Sequence, residues 1–213
     1  MESTLVIKLV GLLALLISLS THEYCHALVA HLLGDDTARR MGRLTLNPIP
    51  HIDPLGTVFL PLLMVLSSSP VLFGWAKPVP FNPYNLRYRK WGPTLVALSG
   101  PASNLVGAVL YALLLRLVIQ VWHFPFTNLL PIFLIAAVQI NVLLAIFNFI
   151  PIPPLDGSKL LFTLLDSPKY ARMRLFLETR GILLLLLVIF FAQPLLMAVF
   201  SATLNAVYLV TGL

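Results

Sequence analysis

The residues best suited to chemistry are His22, Glu23 and His26, within His22-Glu23-Tyr24-Cys25-His26. On a helix, positions i and i+4 share one face, so two imidazoles at that spacing can hold one metal ion, above all Zn²⁺. Glu23 stands beside them and can serve as a general base toward water. All three lie in an apolar stretch, where ionisable groups are expensive and mark functional sites. A purely structural reading, with neutral hydrogen-bonded histidines and a protonated Glu23, explains neither the spacing nor the burial cost.

Catalytic zinc takes three protein ligands and keeps one position open. Few residues qualify as the third ligand. Asp35 and Asp36 end the same helix and face water. His31 lies nine residues from His22, half a turn around the helix. His123 falls in an uncharged loop, and Cys25 reads as a small packing residue. His51 and Asp53 stay as weaker alternatives near the membrane boundary. Asp156 is the best candidate, within Asn148-Phe149-Ile150-Pro151-Ile152-Pro153-Pro154-Leu155-Asp156-Gly157 at the end of an apolar segment. The same turn would also suit Asp156 as a helix N-cap. Depth agrees with ligation: His26 precedes Asp35 by nine residues, ~13 Å along a helix, and a proline-broken backbone at that depth must line protein or a water-filled cavity.

These residues need a scaffold, and the composition says which kind. Of 213 residues, 59% are hydrophobic and 10% charged, with a mean hydropathy of +0.93. A soluble domain needs more charge, so the apolar surface must face lipid. The expected fold is an all-α polytopic membrane protein with about four to six transmembrane helices. It forms one integral membrane domain over residues 1–213, with a core at about 5–165 and a C-terminal helical segment at about 181–213. The net charge of +6 reflects loop Lys and Arg, as membrane topology demands, and does not indicate nucleic acid. A lone cysteine excludes an intrachain disulfide. The stretch after Lys8 resembles a signal peptide, but it continues into the His-Glu motif with no small-residue cleavage site.

Along the chain, residues 5–33 form a first span, ended by Gly34-Asp35-Asp36. Residues 37–54, rich in Asn and Pro, read as short extended structure or a hairpin. Residues 55–74 are broken by Pro61, Ser67-Ser68-Ser69 and Pro70, and are expected to re-enter without crossing. Residues 92–121 and 129–150 are spans, 155–166 a short helix, and residues from 181 onward a last span kinked at Pro194. Basic residues cluster at 39–90 and 159–180. With re-entry at 55–74, both clusters lie on one face, the cytoplasmic one, and the N-terminus lies outside.

His22-Glu23-xx-His26, paired with Asn148-xx-Pro151-xx-Pro154-Leu155-Asp156-Gly157, resembles the site-2 protease family of intramembrane zinc metalloproteases. Gly100-Pro101-Ala102-Ser103-Asn104 is similar to that family's third recurring motif. The resemblance is to a minimal branch without PDZ or CBS modules. It implies that His22, His26 and Asp156 bind one Zn²⁺ and that Glu23 activates water. It also implies that Asn148 helps position the substrate or the oxyanion. The implied substrate is a transmembrane protein cut in or near its span, and the expected bilayer is a prokaryotic plasma membrane. Residues 43–52 would then bind the unwound substrate by strand addition. A non-catalytic zinc scaffold or carrier is the alternative, and Glu23 distinguishes them, since a scaffold needs no general base.

Overall fold

The computed structural model describes residues 2–67 and 74–213. Helix α1, Glu2–Leu32, needs no amphipathic stripe, because lipid receives its outer face and other helices its inner one. Its hydroxyls turn inward on their own backbone: Ser20 Oγ donates to the Leu16 carbonyl at 2.7 Å and Thr21 Oγ1 to Ile17 at 3.0 Å. The helix stops at Gly34, whose φ of 104° reverses the chain. The Asp35 N–H then returns to the Ala30 carbonyl and the Gly34 N–H to His31, which satisfies carbonyls that the helix end leaves bare.

A short helix α2, Thr37–Arg40, follows. Residues 41–48 are turns and bends, and no strand occurs among the described residues. The expected hairpin is therefore absent. Its backbone donors are consumed locally: Asn47 N–H by Thr45 Oγ1, Ile49 N–H by Asn47 Oδ1 and His51 N–H by the Pro48 carbonyl. Asn and Thr side chains compete with ladder formation in this way.

Pro54–Phe59 forms a wide π turn that runs into α3, Leu60–Leu66. Thirteen helical residues span ~20 Å, short of a ~30 Å hydrocarbon core. The chain also comes back to where it left. The Trp75 N–H donates to the Gly56 carbonyl at 3.2 Å, and Thr57 Oγ1 donates to the Trp75 carbonyl at 2.6 Å. The described ends of the segment thus meet beside Gly56 and Thr57. Residues 68–73, including Ser68, Ser69 and Pro70 of the anticipated break, lie outside the described residues.

From Trp75 an extended strap crosses the bundle, with alternate N–H groups tied down. Trp75 donates to Gly56, Lys77 to the His51 carbonyl at 2.9 Å, and Val79 to the Glu23 carboxylate. Pro78 and Pro80 have no N–H to satisfy. The Arg43 guanidinium binds the carbonyls of Lys77 and Pro78 from the other side. Irregular backbone is tolerable here because protein meets the donors of Trp75, Lys77, Val79 and Asn82, and the two prolines have none.

Helix α4, Gly92–Arg116, continues as a π turn to Val121; α5 is Leu129–Phe149 and α6 is Gly157–Leu164. Helices α1, α4 and α5 pack on one another, through small buried residues such as Ala27, Ala30, Ala97, Ala108, Ala112 and Ala145. Without a hydrophobic drive between helices in lipid, small residues bring backbones close enough for dispersion to hold them. The C-terminal part breaks at Ala192, next to Pro194, into α7, Ala171–Phe191, and α8, Gln193–Thr211. The last span is α8, later than the residue 181 expected; α7 begins inside the basic segment. Helix α8 packs on α4 and α5, and Arg116 Nη1 donates to the Thr211 carbonyl at 2.9 Å. Among the described residues, four helices are long and apolar enough to cross a membrane: Leu5–Leu32, Gly92–Val121, Leu129–Phe149 and Gln193–Thr211. The fold is an all-α polytopic membrane protein.

Asp35 ties the end of α1 to the strap. Its carboxylate accepts from Thr37 Oγ1 at 2.6 Å, Asn82 N–H at 2.7 Å and Asn85 Nδ2 at 2.8 Å. Burial pushes its pKa up, but the bonds from Thr37, Asn85 and Asn82 outweigh this and hold it below its ordinary value of 3.8. A depressed carboxylate stabilises the fold above its unfolded pKa and stops doing so as pH falls through the folded one. Asp35→Asn is therefore expected to lower thermal stability in detergent at neutral pH by about 2 kcal/mol. The gap from wild type should be full above about pH 4 and close below it. Melting curves of the two proteins at pH 7 and pH 3 check this.

Candidate metal centre

Each turn of α1 that carries the motif faces a different partner. His22 and His26 are buried, at 5% and 8% exposure, with their Nε2 atoms 3.0 Å apart. Asp156 Oδ2 closes the triangle, 3.1 Å from His22 Nε2 and 3.3 Å from His26 Nε2. Donors held at 2.0–2.1 Å around a tetrahedral zinc are ~3.3 Å apart, so the three atoms are spaced as ligands of one such ion. His22, Glu23 and His26 also have ligand atoms within 4.8 Å of one another.

The hydrogen bonds behind the rings decide what faces the triangle. His26 Nδ1 lies 2.7 Å from the Val96 carbonyl, which can only accept, so Nδ1 carries the proton and Nε2 the lone pair. His22 Nδ1 lies 2.6 Å from Asn104 Oδ1, with the same consequence. Two imidazole lone pairs and a carboxylate oxygen then converge with no proton of their own among them. Such a cluster suits a cation, and the inner N–H bonds are of the kind that orient metal-binding histidines. The residues fit a zinc ion.

Asp156 arrives from the other end of the chain. It occupies the N-cap position of α6, but its side chain makes no cap hydrogen bond and turns to the histidines. The capping alternative is thereby set aside. Gly157 makes the approach possible: a Cβ there would meet the Phe149 carbonyl oxygen at 2.4 Å. Gly181 of α7 does the same for the Pro153 carbonyl, also at 2.4 Å. On the far side, α6 is pinned to the start of α4 by Thr94 Oγ1 and Thr163 Oγ1, 2.7 Å apart.

Glu23 accepts the Val79 N–H at 2.9 Å, buried. Between two prolines, Val79 holds the one backbone donor of Pro78-Val79-Pro80, and Glu23 receives it. The other candidates lie elsewhere. His31 pairs with Asp36 at 2.6 Å, His51 Nε2 donates to the Thr45 carbonyl at 2.9 Å, and Asp53 caps Leu55 and Gly56. His123 sits in the loop between α4 and α5, and Cys25 is free and half-buried. Asn148, in the last turn of α5, donates from Nδ2 to the Leu144 carbonyl at 3.0 Å.

Sequence reasoning missed three contributors. Asn104, the Val79 N–H and Gly100 were not assigned roles at the site. Gly100 is the floor under both rings: a Cβ there would lie 2.4 Å from His26 Cε1 and 2.6 Å from His22 Nε2. The motif Gly100-Pro101-Ala102-Ser103-Asn104 held the signal, since i and i+4 of α4 face α1 together.

A family model described as Peptidase family M50 matches residues 123–190, which include Asn148 and Asp156. A Bacillus subtilis (strain 168) protein named "Putative zinc metalloprotease YwhC" is 37% identical over 197 residues, 91% of this chain and 85% of that protein. "Putative zinc metalloprotease Rip2" of Mycolicibacterium smegmatis is 34% identical over 142 residues, 67% of this chain and 52% of its own length. Its counterpart in Mycobacterium tuberculosis H37Rv is 33% identical over the same shares. The chain spans about half the length of these two Rip2 proteins. No solved structure matches.

Gly100→Ala is expected to lower zinc affinity ~10- to 100-fold, because overpacking against both rings costs about 1–3 kcal/mol. Competition with a chelating dye on the purified protein measures it.

Proposed function

The chain belongs to peptidase family M50, and on that premise we propose that it is a zinc-dependent endopeptidase cutting a transmembrane protein at the depth of its own buried site. One observation carries the reading. His22 Nε2, His26 Nε2 and Asp156 Oδ2 meet within 3.3 Å of one another, beside Glu23, between helices that cross the membrane.

His22, His26 and Asp156 would hold the ion. When bound, zinc supplies Lewis acidity, polarising the scissile carbonyl and easing the loss of a proton from water. The remaining steps belong to the chain. Glu23 takes a proton from the attacking water as its oxygen bonds to the carbonyl carbon. It then delivers that proton to the amide nitrogen as the C–N bond breaks. The Val79 N–H fixes the carboxylate's orientation and leaves the second oxygen to exchange the proton. Asn148 spends one N–H on Leu144 and has a second to offer the developing oxyanion. Within residues 43–52 the N–H groups of Asn47, Ile49, His51 and Ile52 are used inside the segment, so strand addition there would fall to Leu44, Thr45 and Leu46. A scaffold or carrier needs no general base and would use Glu23 only to anchor the Val79 N–H.

The basic residues support a cytoplasmic position for this end of the bundle. Arg39, Arg40, Arg43, Lys77, Arg87, Arg89 and Lys90 all fall between the end of α1 and the start of α4. The Arg87 N–H donates to the Leu33 carbonyl at 2.8 Å. Positive loops stay on the cytoplasmic side, so the site opens toward the cytoplasm of a prokaryotic plasma membrane.

Glu23→Gln is expected to keep zinc and lose ~10²- to 10⁴-fold in cleavage of single-span model substrates in liposomes. His22→Ala, His26→Ala and Asp156→Ala should lose the metal and cleavage together. Cleavage that survives in Glu23→Gln would sink the mechanism.

A further inference from the structure

A polar line runs from His22 through three buried side chains on α4, α5 and α1. His22 Nδ1 meets Asn104 Oδ1 at 2.6 Å, and Asn104 Nδ2 meets Asn141 Oδ1 at 2.8 Å. Asn141 Nδ2 lies 2.8 Å from the Ala137 carbonyl and 2.8 Å from Ser18 Oγ. Asn104 is fully buried, and Asn141 and Ser18 are each 2% exposed. Asn141 could serve only as an interhelical hydrogen bond, but the direction of the line gives it more to do.

A carboxamide presents a donor on one side and an acceptor on the other, so each link constrains the next. The Ala137 carbonyl accepts and cannot donate, which places the Asn141 NH₂ against it. Asn141 Oδ1 must then face Asn104, which answers with its NH₂. Asn104 Oδ1 is left to face His22, so His22 donates from Nδ1 and keeps its Nε2 lone pair for the triangle. His26 reaches the same tautomer in a single step, through the Val96 carbonyl. His22 is instead met by Asn104, and the line brings it the polarity of a carbonyl three links away. Helix α4 makes room for this at Gly107, where a Cβ would stand 3.0 Å from Asn141 Oδ1. Gly100, Asn104 and Gly107, at i, i+4 and i+7, form one stripe of that helix.

We propose that Asn141 is a positioning residue for the metal centre: by setting which way the Asn104 amide points, it holds His22 in the Nδ1–H tautomer with Nε2 aimed at Asp156 and His26. The inference rests on the reading of His22, His26 and Asp156 as zinc ligands. Without Asn141, the Asn104 amide can turn its NH₂ toward His22. The ring must then either lose this partner or put its proton on Nε2, where it opposes a metal.

The test is zinc affinity of the full chain in detergent, by chelator competition, across a double-mutant cycle. Asn141→Leu should weaken zinc about tenfold. Asn104→Asp sets the reference for the second arm, because a carboxylate accepts from His22 whichever way it turns. In the Asn104→Asp background, Asn141→Leu should then change zinc affinity less than about threefold, since no amide remains to be steered. Equal losses in both backgrounds overturn the proposal, because packing alone would give them. Unchanged affinity in Asn141→Leu alone overturns it too. Asn141→Asp guards against simple misfolding: it keeps an acceptor for Asn104 while losing the donors to Ala137 and Ser18. Its melting temperature should fall while zinc affinity holds within about threefold; a loss as large as that of the Leu variant counts against the proposal. If wild type binds no more zinc than His22→Ala, the ligand reading itself fails, and this one with it.

Discussion

Three electron-pair donors meet inside an apolar helical bundle, and the rest of the structure answers to that meeting. Two imidazole lone pairs and a carboxylate oxygen within 3.3 Å of one another repel unless a cation joins them. Their surroundings cannot relax by admitting lipid, and uncompensated buried polar groups cost several kcal/mol. A multivalent cation turns the same cluster into an asset, because the low dielectric that magnifies repulsion also magnifies attraction to the ion. The helix packing follows from this. α4 can approach α1 closely enough to supply Asn104 and the Val96 carbonyl because Gly100 has no side chain to keep the rings away.

The irregular part of the chain between α1 and α4 answers a second demand. A peptidase working at membrane depth needs water and an accessible peptide, yet exposed backbone polar groups are not tolerated in hydrocarbon. Here the π turn before α3 and the strap satisfy each other. Trp75 rests on Gly56, Lys77 on His51, and Arg43 holds the carbonyls of Lys77 and Pro78. The donor at Val79 goes to Glu23. Support for the general base and solvation of the strap are one hydrogen bond. Asp35 then fixes the strap's far end to the end of α1.

Helices α4 and α5 bring the two halves of the site together from distant sequence. The Asp156 loop packs on the end of α5 through Gly157 and on α7 through Gly181. Both contacts are to backbone carbonyls, so the loop is shaped by close approach of main chains and its carboxylate is delivered from a rigid base. Around this centre the packing is ordinary for a membrane protein, with alanine and valine where helices cross and large aliphatic residues toward lipid.

By itself, the sequence determined whatever depends on near neighbours. The pair His22 and His26 is legible because four residues on a helix fix their relation whatever the rest of the chain does. The spans at 92–121 and 129–150 are legible because bilayer thickness sets their length. Asp156 was within reach by elimination, since few acids stand near the membrane boundary. The expected hairpin at 37–54 failed where Asn47 and Thr45 side chains took the ladder's donors, a local competition that propensity does not resolve. Tertiary structure alone decided the remainder. Asn104 stands 82 residues from His22, Val79 stands 56 from Glu23, and Asn141 stands 123 from Ser18. No local period relates such positions; they meet only because three helices cross at one depth. The direction of each hydrogen bond, and so the tautomer of His22, exists only once all three have packed.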